Sequence, residues 1–258
     1  MRVRPATASA SHRRSPDARA EARAATITIV PNERHLNWSG CWNARDLGGL
    51  PTASGRATRW AAVVRADALD GLTTAGWAAL WGHGVRTVID LRNDDERATD
   101  GTPRPDGITT IHLPLDANED REFWEVWDSG PQFGTPLYYR PHLERFPERT
   151  AAVLAAIANA APGGVAFHCA GGRDRAGQIT MVLLALVGVA PSDIAADYML
   201  SYERLPARYA ARGEADQGPL LEGFLGDKGR RQATSSATRS IPSTLRDKSE
   251  SAVSPTGI

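Results

Sequence analysis

Cysteine is almost missing from this chain, with Cys41 and Cys169 the only two in 258 residues. Two thiols that far apart build no disulfide framework, so the fold must rest on an apolar core, and a reducing, cytoplasmic setting is expected. Histidine is also scarce, and the six, at positions 12, 35, 83, 112, 142 and 168, form no i, i+4 pair. A binuclear metal centre therefore has no obvious ligand set, and neither metal nor other cofactor is expected. No apolar run reaches 18 residues and the N-terminus lacks an apolar h-region, which argues against stable membrane insertion and against a secretory signal.

Net charge is absent too, 30 basic residues cancelling 30 acidic ones, but the balance is uneven. Residues 1–25 carry six arginines against Asp17 and Glu21, and residues 228–258 carry six Lys or Arg against Asp247 and Glu250, leaving each end at +4 and the body at −8. An acidic body is a poor match for nucleic acid, whose phosphates reward basic surfaces. The basic ends are rich in Ala, Ser, Thr or Pro and show no apolar stripe, so residues 1–25 read as a disordered tail and residues 227–258 as a disordered or replaced one. Between them, 26–226 reads as one domain.

What the chain does have is concentrated in Val165-Ala-Phe-His-Cys169-Ala-Gly-Gly-Arg-Asp-Arg175-Ala-Gly177, a cysteine and an arginine six positions apart around two glycines. An apolar strand-like run precedes it and a helix-like run follows. Gly171 and Gly172 can adopt φ > 0 and let successive N–H groups converge into an anion nest. The helix start aims its positive end into the same concavity, and Arg175 can return a planar fork to two oxygens of a tetrahedral oxyanion. Ala170, Gly171, Gly172, Arg173, Asp174 and Arg175 are thus the candidate phosphate-binding residues. Cys169, at the mouth of the nest, is expected to have a lowered pKa and to act as the nucleophile. The pattern points to binding and cleavage of a phosphate ester.

The C-x5-R spacing, with His before the cysteine, resembles the signature loop of cysteine-dependent protein tyrosine and dual-specificity phosphatases. Asn43-Ala-Arg-Asp-Leu-Gly-Gly49, Val64-Arg-Ala-Asp67 and Val88-Ile-Asp-Leu-Arg92 resemble, in order, the N-x-R-D-x-G-G, F-R-[SA] and I-D-L-R blocks of the bacterial and fungal tyrosine phosphatase family, whose loop reads H-C-x-x-G-K-D-R-[ST]-G. The resemblance covers about residues 36–226. It implies hydrolysis of phosphate monoesters, phosphotyrosine in proteins foremost, through a phosphocysteine intermediate, with other phosphoesters and phosphoinositides as further substrates.

Two departures stand out: Arg173 occupies the usual Lys position and Ala176 the usual Ser or Thr position. The missing hydroxyl ordinarily helps the thiolate leave, which keeps a phosphate-binding pseudophosphatase open as an alternative, beside a rhodanese-like sulfurtransferase or an arsenate-reductase-type enzyme using the same nest.

Three aspartates compete as general acid. Asp174 lies in the loop, where the family has an acid implicated in catalysis. Asp90 closes a strand of the I-D-L-R block, where α/β sheets place their sites. The two rank level, ahead of Asp116 at the end of the next strand. His168 is read as a donor that orients the loop. Arg45 and Asp46 either brace the loop or order their own Gly-Gly turn.

The coarse pattern is α/β: a central, mostly parallel sheet flanked by helices, tyrosine-phosphatase-like, with an inserted lid. Strands are expected over Thr26–Val30, Trp60–Arg65, Val85–Leu91, Ile108–Leu115 and Val165–His168. Helices are expected from Thr73 or Thr74 to Trp81, over Glu148–Ala160, from the loop to Val187, and over Asp193–Ser201 and Glu203–Arg212. Residues 116–147, with Phe123, Trp124, Trp127, Tyr138 and Tyr139, break the alternation and form the candidate lid, whose aromatics either stack a substrate ring or fill core.

Overall fold

The computed structural model describes residues 34–97 and 103–227. The strand expected over Thr26–Val30 and the terminal segments 1–25 and 228–258 lie outside the described residues.

A fully buried strand, β5 (Gly164–His168), occupies the middle of a five-stranded sheet. Its parallel neighbours are β2 (Val63–Ala66) on one side and β3 (Val85–Asp90) on the other. Beyond them lie β1 (Arg45–Asp46), the antiparallel edge, and β4 (Thr109–His112), parallel to β3. The order β1-β2-β5-β3-β4 is the mostly parallel sheet expected. Period-two alternation splits the apolar side chains between two faces. Val165, Phe167 and Ile89 enter one core cluster, whereas Ala166, Val64 and Val88 enter another.

On the second face sits α1 (Thr74–Gly82), capped by the Thr73 hydroxyl, which accepts from the Gly76 amide at 3.1 Å. It buries Trp77 and Leu80. The first face is covered by α4 (Tyr139–Arg145), α5 (Pro147–Ala158), α6 (Asp174–Leu186) and α7 (Pro191–Arg212). As its apolar sequence requires, α6 is the central helix, buried without interruption from Ala176 to Val182. Its one amide, Gln178, bonds His142 Nδ1 at 3.0 Å and Thr150 Oγ1 at 3.3 Å. Truncating Phe167, which has no exposed surface, would cost about 3–5 kcal/mol through lost transfer energy and the cavity left behind.

Two helices were expected where α7 runs unbroken for 22 residues. Ile194, Asp197, Tyr198, Ser201, Leu205, Arg208 and Tyr209 recur along one buried face, and this packing carries the helix through Tyr202. Pro206 sits on the exposed side, where it forfeits a single N–H bond. Gly213 then takes φ +66 and ends the helix. A last helix, α8 (Gly218–Asp227), follows. No helix among the described residues is long and apolar enough to cross a membrane.

Residues 116–147 contain α3 (Arg121–Trp127), two short 3-10 turns and α4. Their aromatics mainly fill core. Tyr138 and Tyr139 are 1% exposed, and Phe123 meets Trp124, His142 and Phe146 edge-on. Phe133 alone of this group is exposed, stacked on Tyr138 with 5.9 Å between ring centroids. A four-residue helix, α2 (Asp94–Arg97), follows β3.

Candidate active site

Strand β5 ends at His168, α6 begins at Asp174, and residues 169–173 turn between them at the carboxyl edge of the parallel strands. Gly172 takes φ +67, and a Cβ there would come within 2.6 Å of the Ala66 carbonyl and the Asp67 nitrogen. Its N–H donates to Cys169 Sγ at 3.2 Å. Gly171 is not in the left-handed region, and a Cβ there would meet only Leu205 at 3.8 Å. Of the two glycines expected to shape the nest, the turn requires Gly172.

Cys169 is 2% exposed at the floor of a cleft of about 480 Å³ that Asp174, Arg173, Arg175, Arg208 and Tyr209 also line. Burial pushes its thiol above the ordinary range, outweighing the downward pull of Arg175 and of the amides of Ala176 and Gly172. This corrects the lowered pKa expected from the sequence. The physical reason is burial; Arg175, which pulls the other way, is itself paired, since Glu96 accepts both of its arms, one at 2.6 Å, and Asp116 lies 3.3 Å from the same guanidinium. The charge that should favour a thiolate is shared with two carboxyl groups. Both also line a neighbouring cleft of about 620 Å³, which meets the first at Glu96, Phe133 and Arg175.

The three candidate acids part company. Asp174, half-buried in the cleft with Cys169, accepts from Arg173 Nε at 3.2 Å and from the Tyr198 hydroxyl at 3.4 Å. Asp90 lines neither cleft: it accepts from the amide, Nε and Nη2 of Arg92 at 3.0–3.1 Å and lies 3.2 Å from Arg97 Nε. Burial would raise its pKa, but the bonds from Arg92 prevail and hold it down. Asp116 is 4% exposed, accepts from Asn93 Nδ2 at 3.1 Å, and is pushed up by burial despite Arg175.

Arg173, 4% exposed, turns toward Asp174 and toward Gln217, whose Oε1 it meets at 3.0 Å. His168, buried with its pKa lowered by burial to about 4, makes a long 3.4 Å contact to the Cys169 carbonyl through Nδ1, and its Nε2 lies 3.8 Å from Asp90 Oδ2. Arg45 and Asp46 divide the two expectations. Asp46 orders its own turn, accepting from the amides of Gly48 at 2.7 Å and Ala61 at 2.8 Å. Arg45 points instead into a buried cluster where Arg34, Arg45 and Arg65 converge on Asp197.

Glu96 and Asp197 went unassigned in the sequence. Glu96 follows the I-D-L-R block in a run of charges that reads as solvated surface. Asp197 had one available signal, a carboxylate on the apolar face of a helix beside Ile194 and Tyr198.

Sheet, loop and cysteine together place the chain among the cysteine-dependent phosphoric monoester hydrolases. More narrowly, it belongs to the Tyrosine phosphatase family, whose model matches residues 36–250. The triple specificity protein phosphatase PtpB of Mycobacterium tuberculosis is 30% identical over 207 residues, covering 69% of this chain and 73% of that protein. A Cupriavidus necator protein named provisionally as a tyrosine-protein phosphatase is 29% identical over 215 residues, 78% of each chain. A tyrosine-protein phosphatase of Nostoc commune is 33% identical over 160 residues, 61% of this chain and 54% of that one. Family membership sets the sulfurtransferase alternative aside.

Proposed function

We propose that this enzyme hydrolyses phosphotyrosine in proteins with Cys169 as nucleophile. The Cys169 thiol, held up by burial, gives its proton to a nonbridging oxygen of the incoming phosphate dianion, and the thiolate attacks phosphorus in line, so that an S–P bond forms and the P–O bond to the aryl group breaks. Asp174 gives the departing oxygen a proton. It then accepts one from the water that cleaves the phosphocysteine, releasing inorganic phosphate and the thiolate. The amides from Ala170 to Arg175 and the Arg175 fork hold the equatorial oxygens as charge develops. Asp90, locked between Arg92 and Arg97, braces the strand end rather than moving a proton.

The observation that carries this reading is the Gly172 N–H aimed at the Cys169 sulfur from a loop that opens a helix, with Arg175 lining the same cleft. Phosphotyrosine is favoured because the sulfur lies at the floor of a cleft whose wall includes Phe133, Tyr138 and Tyr209, so a short alkyl phosphate has less to contact. Arg208 and Arg212 on the same cleft support phosphoinositides as a second substrate class.

The test compares a phosphotyrosine peptide, a phosphoserine peptide, a phosphoinositide panel and p-nitrophenyl phosphate. Cys169→Ser should abolish turnover on all of them while retaining oxyanion binding. Turnover above a hundredth of wild type in that variant would remove Cys169 from the mechanism.

A further inference from the structure

Beneath the phosphate loop lies a layer of buried side chains that grips its carbonyl groups. Asn43 Nδ2 donates to the Gly171 carbonyl at 2.9 Å. Arg65 Nη2 donates to the next two, Gly172 at 2.8 Å and Arg173 at 3.1 Å. In a planar trans peptide the carbonyl of one residue and the N–H of the next point in opposite directions. Holding three consecutive carbonyls inward therefore turns the N–H groups of Gly172, Arg173 and Asp174 outward, toward the cleft. The Gly172 N–H on Cys169 Sγ is the visible result.

The grip is itself anchored. Arg65 Nη1 is held by Asp197 Oδ2 at 2.7 Å, and Asn43 Oδ1 accepts from Arg45 Nη1 at 2.7 Å. Arg45 in turn bonds Asp197 and Ser201 on α7, and Ser201 Oγ lies 3.3 Å from Asn43 Nδ2. Asn43, Arg45, Arg65, Asp197 and Ser201 are all wholly buried. Three guanidiniums share one carboxylate here, so excess positive charge lies under a loop that receives an anion.

We propose that Asn43 and Arg65, anchored through Asp197, are positioning residues that set the phosphate loop in its anion-binding form before substrate arrives. Neither touches the reacting atoms. They act through the direction of the loop amides, and Arg65 adds field from below. The proposal rests on the reading of residues 169–175 as the phosphate site.

Two near-isosteric variants test it. Asn43→Asp keeps an oxygen for Arg45 but puts an acceptor against the Gly171 carbonyl, which should turn that peptide. Arg65→Lys keeps the charge but cannot hold two carbonyls and Asp197 together. In each, tungstate binding measured by calorimetry should weaken roughly ten- to a hundredfold, the worth of one or two charge-assisted bonds. The midpoint of the pH dependence of Cys169 alkylation by iodoacetamide should move to higher pH in Asn43→Asp, because the sulfur loses the Gly172 donor set by the Gly171 carbonyl, and by less in Arg65→Lys, which releases the Arg173 and Asp174 amides instead. A purely structural residue would lower the melting temperature without moving that midpoint.

A folded variant with wild-type tungstate affinity and an unmoved midpoint overturns the proposal. If both variants fail to fold, the wild-type protein decides. Its loop Cα and Cβ chemical shifts, which follow backbone dihedrals rather than the anion on the amides, should be the same with and without saturating phosphate, and a large change would mean that the ligand, not the layer beneath, sets the loop. A wild type that neither binds tungstate nor cleaves p-nitrophenyl phosphate would instead remove the phosphatase site itself.

Discussion

Glu96 receives both arms of Arg175, so the guanidinium expected to meet the phosphate is already held in a fork by a carboxylate of this chain. The pairing fixes the plane of Arg175 at the cost of muting its charge. Glu96→Gln should keep part of the orientation and free the charge, strengthening the pull on Cys169. The midpoint of iodoacetamide alkylation should fall to lower pH, and a midpoint that rises or stays would show that Glu96 does not set the thiol.

Arg175→Lys conserves charge and loses the planar fork. With one of the two fork bonds to the transferring phosphoryl oxygens lost, kcat/KM for p-nitrophenyl phosphate should drop about 10²–10³-fold, the usual loss for one oxyanion donor. Steady-state kinetics check this, and a value near wild type would exclude bidentate binding.

Proton delivery separates the aspartates. Asp174→Asn should slow alkyl phosphates about 10²–10⁴-fold more than p-nitrophenyl phosphate, whose leaving group needs little help. Asp90→Asn should slow both equally, since its partners Arg92 and Arg97 make it a brace. Asp116 is the control: burial favours its protonated form, and if Asp116→Asn shows the leaving-group dependence instead, the acid works from beside Arg175.

Ala176 has no hydroxyl to offer the departing thiolate, and Thr180, one turn on, does not supply one. Its Oγ1 donates to the Ala176 carbonyl at 2.7 Å, the ordinary bond of a helical threonine. Hydrolysis of the phosphocysteine should therefore limit turnover and give a burst of p-nitrophenol under rapid quench. Ala176→Ser should diminish the burst and raise kcat several-fold, below the roughly 10²-fold of a fully positioned acid or base, because the added hydroxyl offers a single hydrogen bond to the departing sulfur. No burst, with kcat unchanged in the variant, would show that this position limits nothing.

Acid should destabilise the fold before the carboxylates titrate. His142 and His168 are both held neutral by burial, their pKa values lowered to about 4. Below the unfolded value near 6.5 the unfolded chain binds protons that the native state refuses, so stability falls as pH drops from there to about 4. Each histidine contributes a slope of up to about 1.4 kcal/mol per pH unit. Urea titrations at pH 7, 6 and 5 measure it, and His142→Gln should flatten the slope by one proton. An unchanged slope would mean that His142 is protonated in the native state.

The chemistry was legible in the sequence because it is local. Cys169, Gly172, Arg175 and the run from Val165 into α6 occupy consecutive positions, and strand, turn and helix follow from period, glycine and apolar content over a short stretch. The parallel sheet was legible for the same reason: each strand carries its own burial pattern. What the sequence could not decide is which charges meet. Glu96 reaches Arg175 across 79 positions, Asp197 reaches Arg65 across 132, and Asn43 reaches Gly171 across 128. Such pairs depend on how helices and strands stack, and no local period encodes them. Hence Asp90 is found paired with Arg92 and Arg97, while burial raises the thiol expected to be lowered and a continuous buried face joins two expected helices into α7. The direction of the loop amides was decided only when tertiary packing put a layer of arginine and asparagine beneath them.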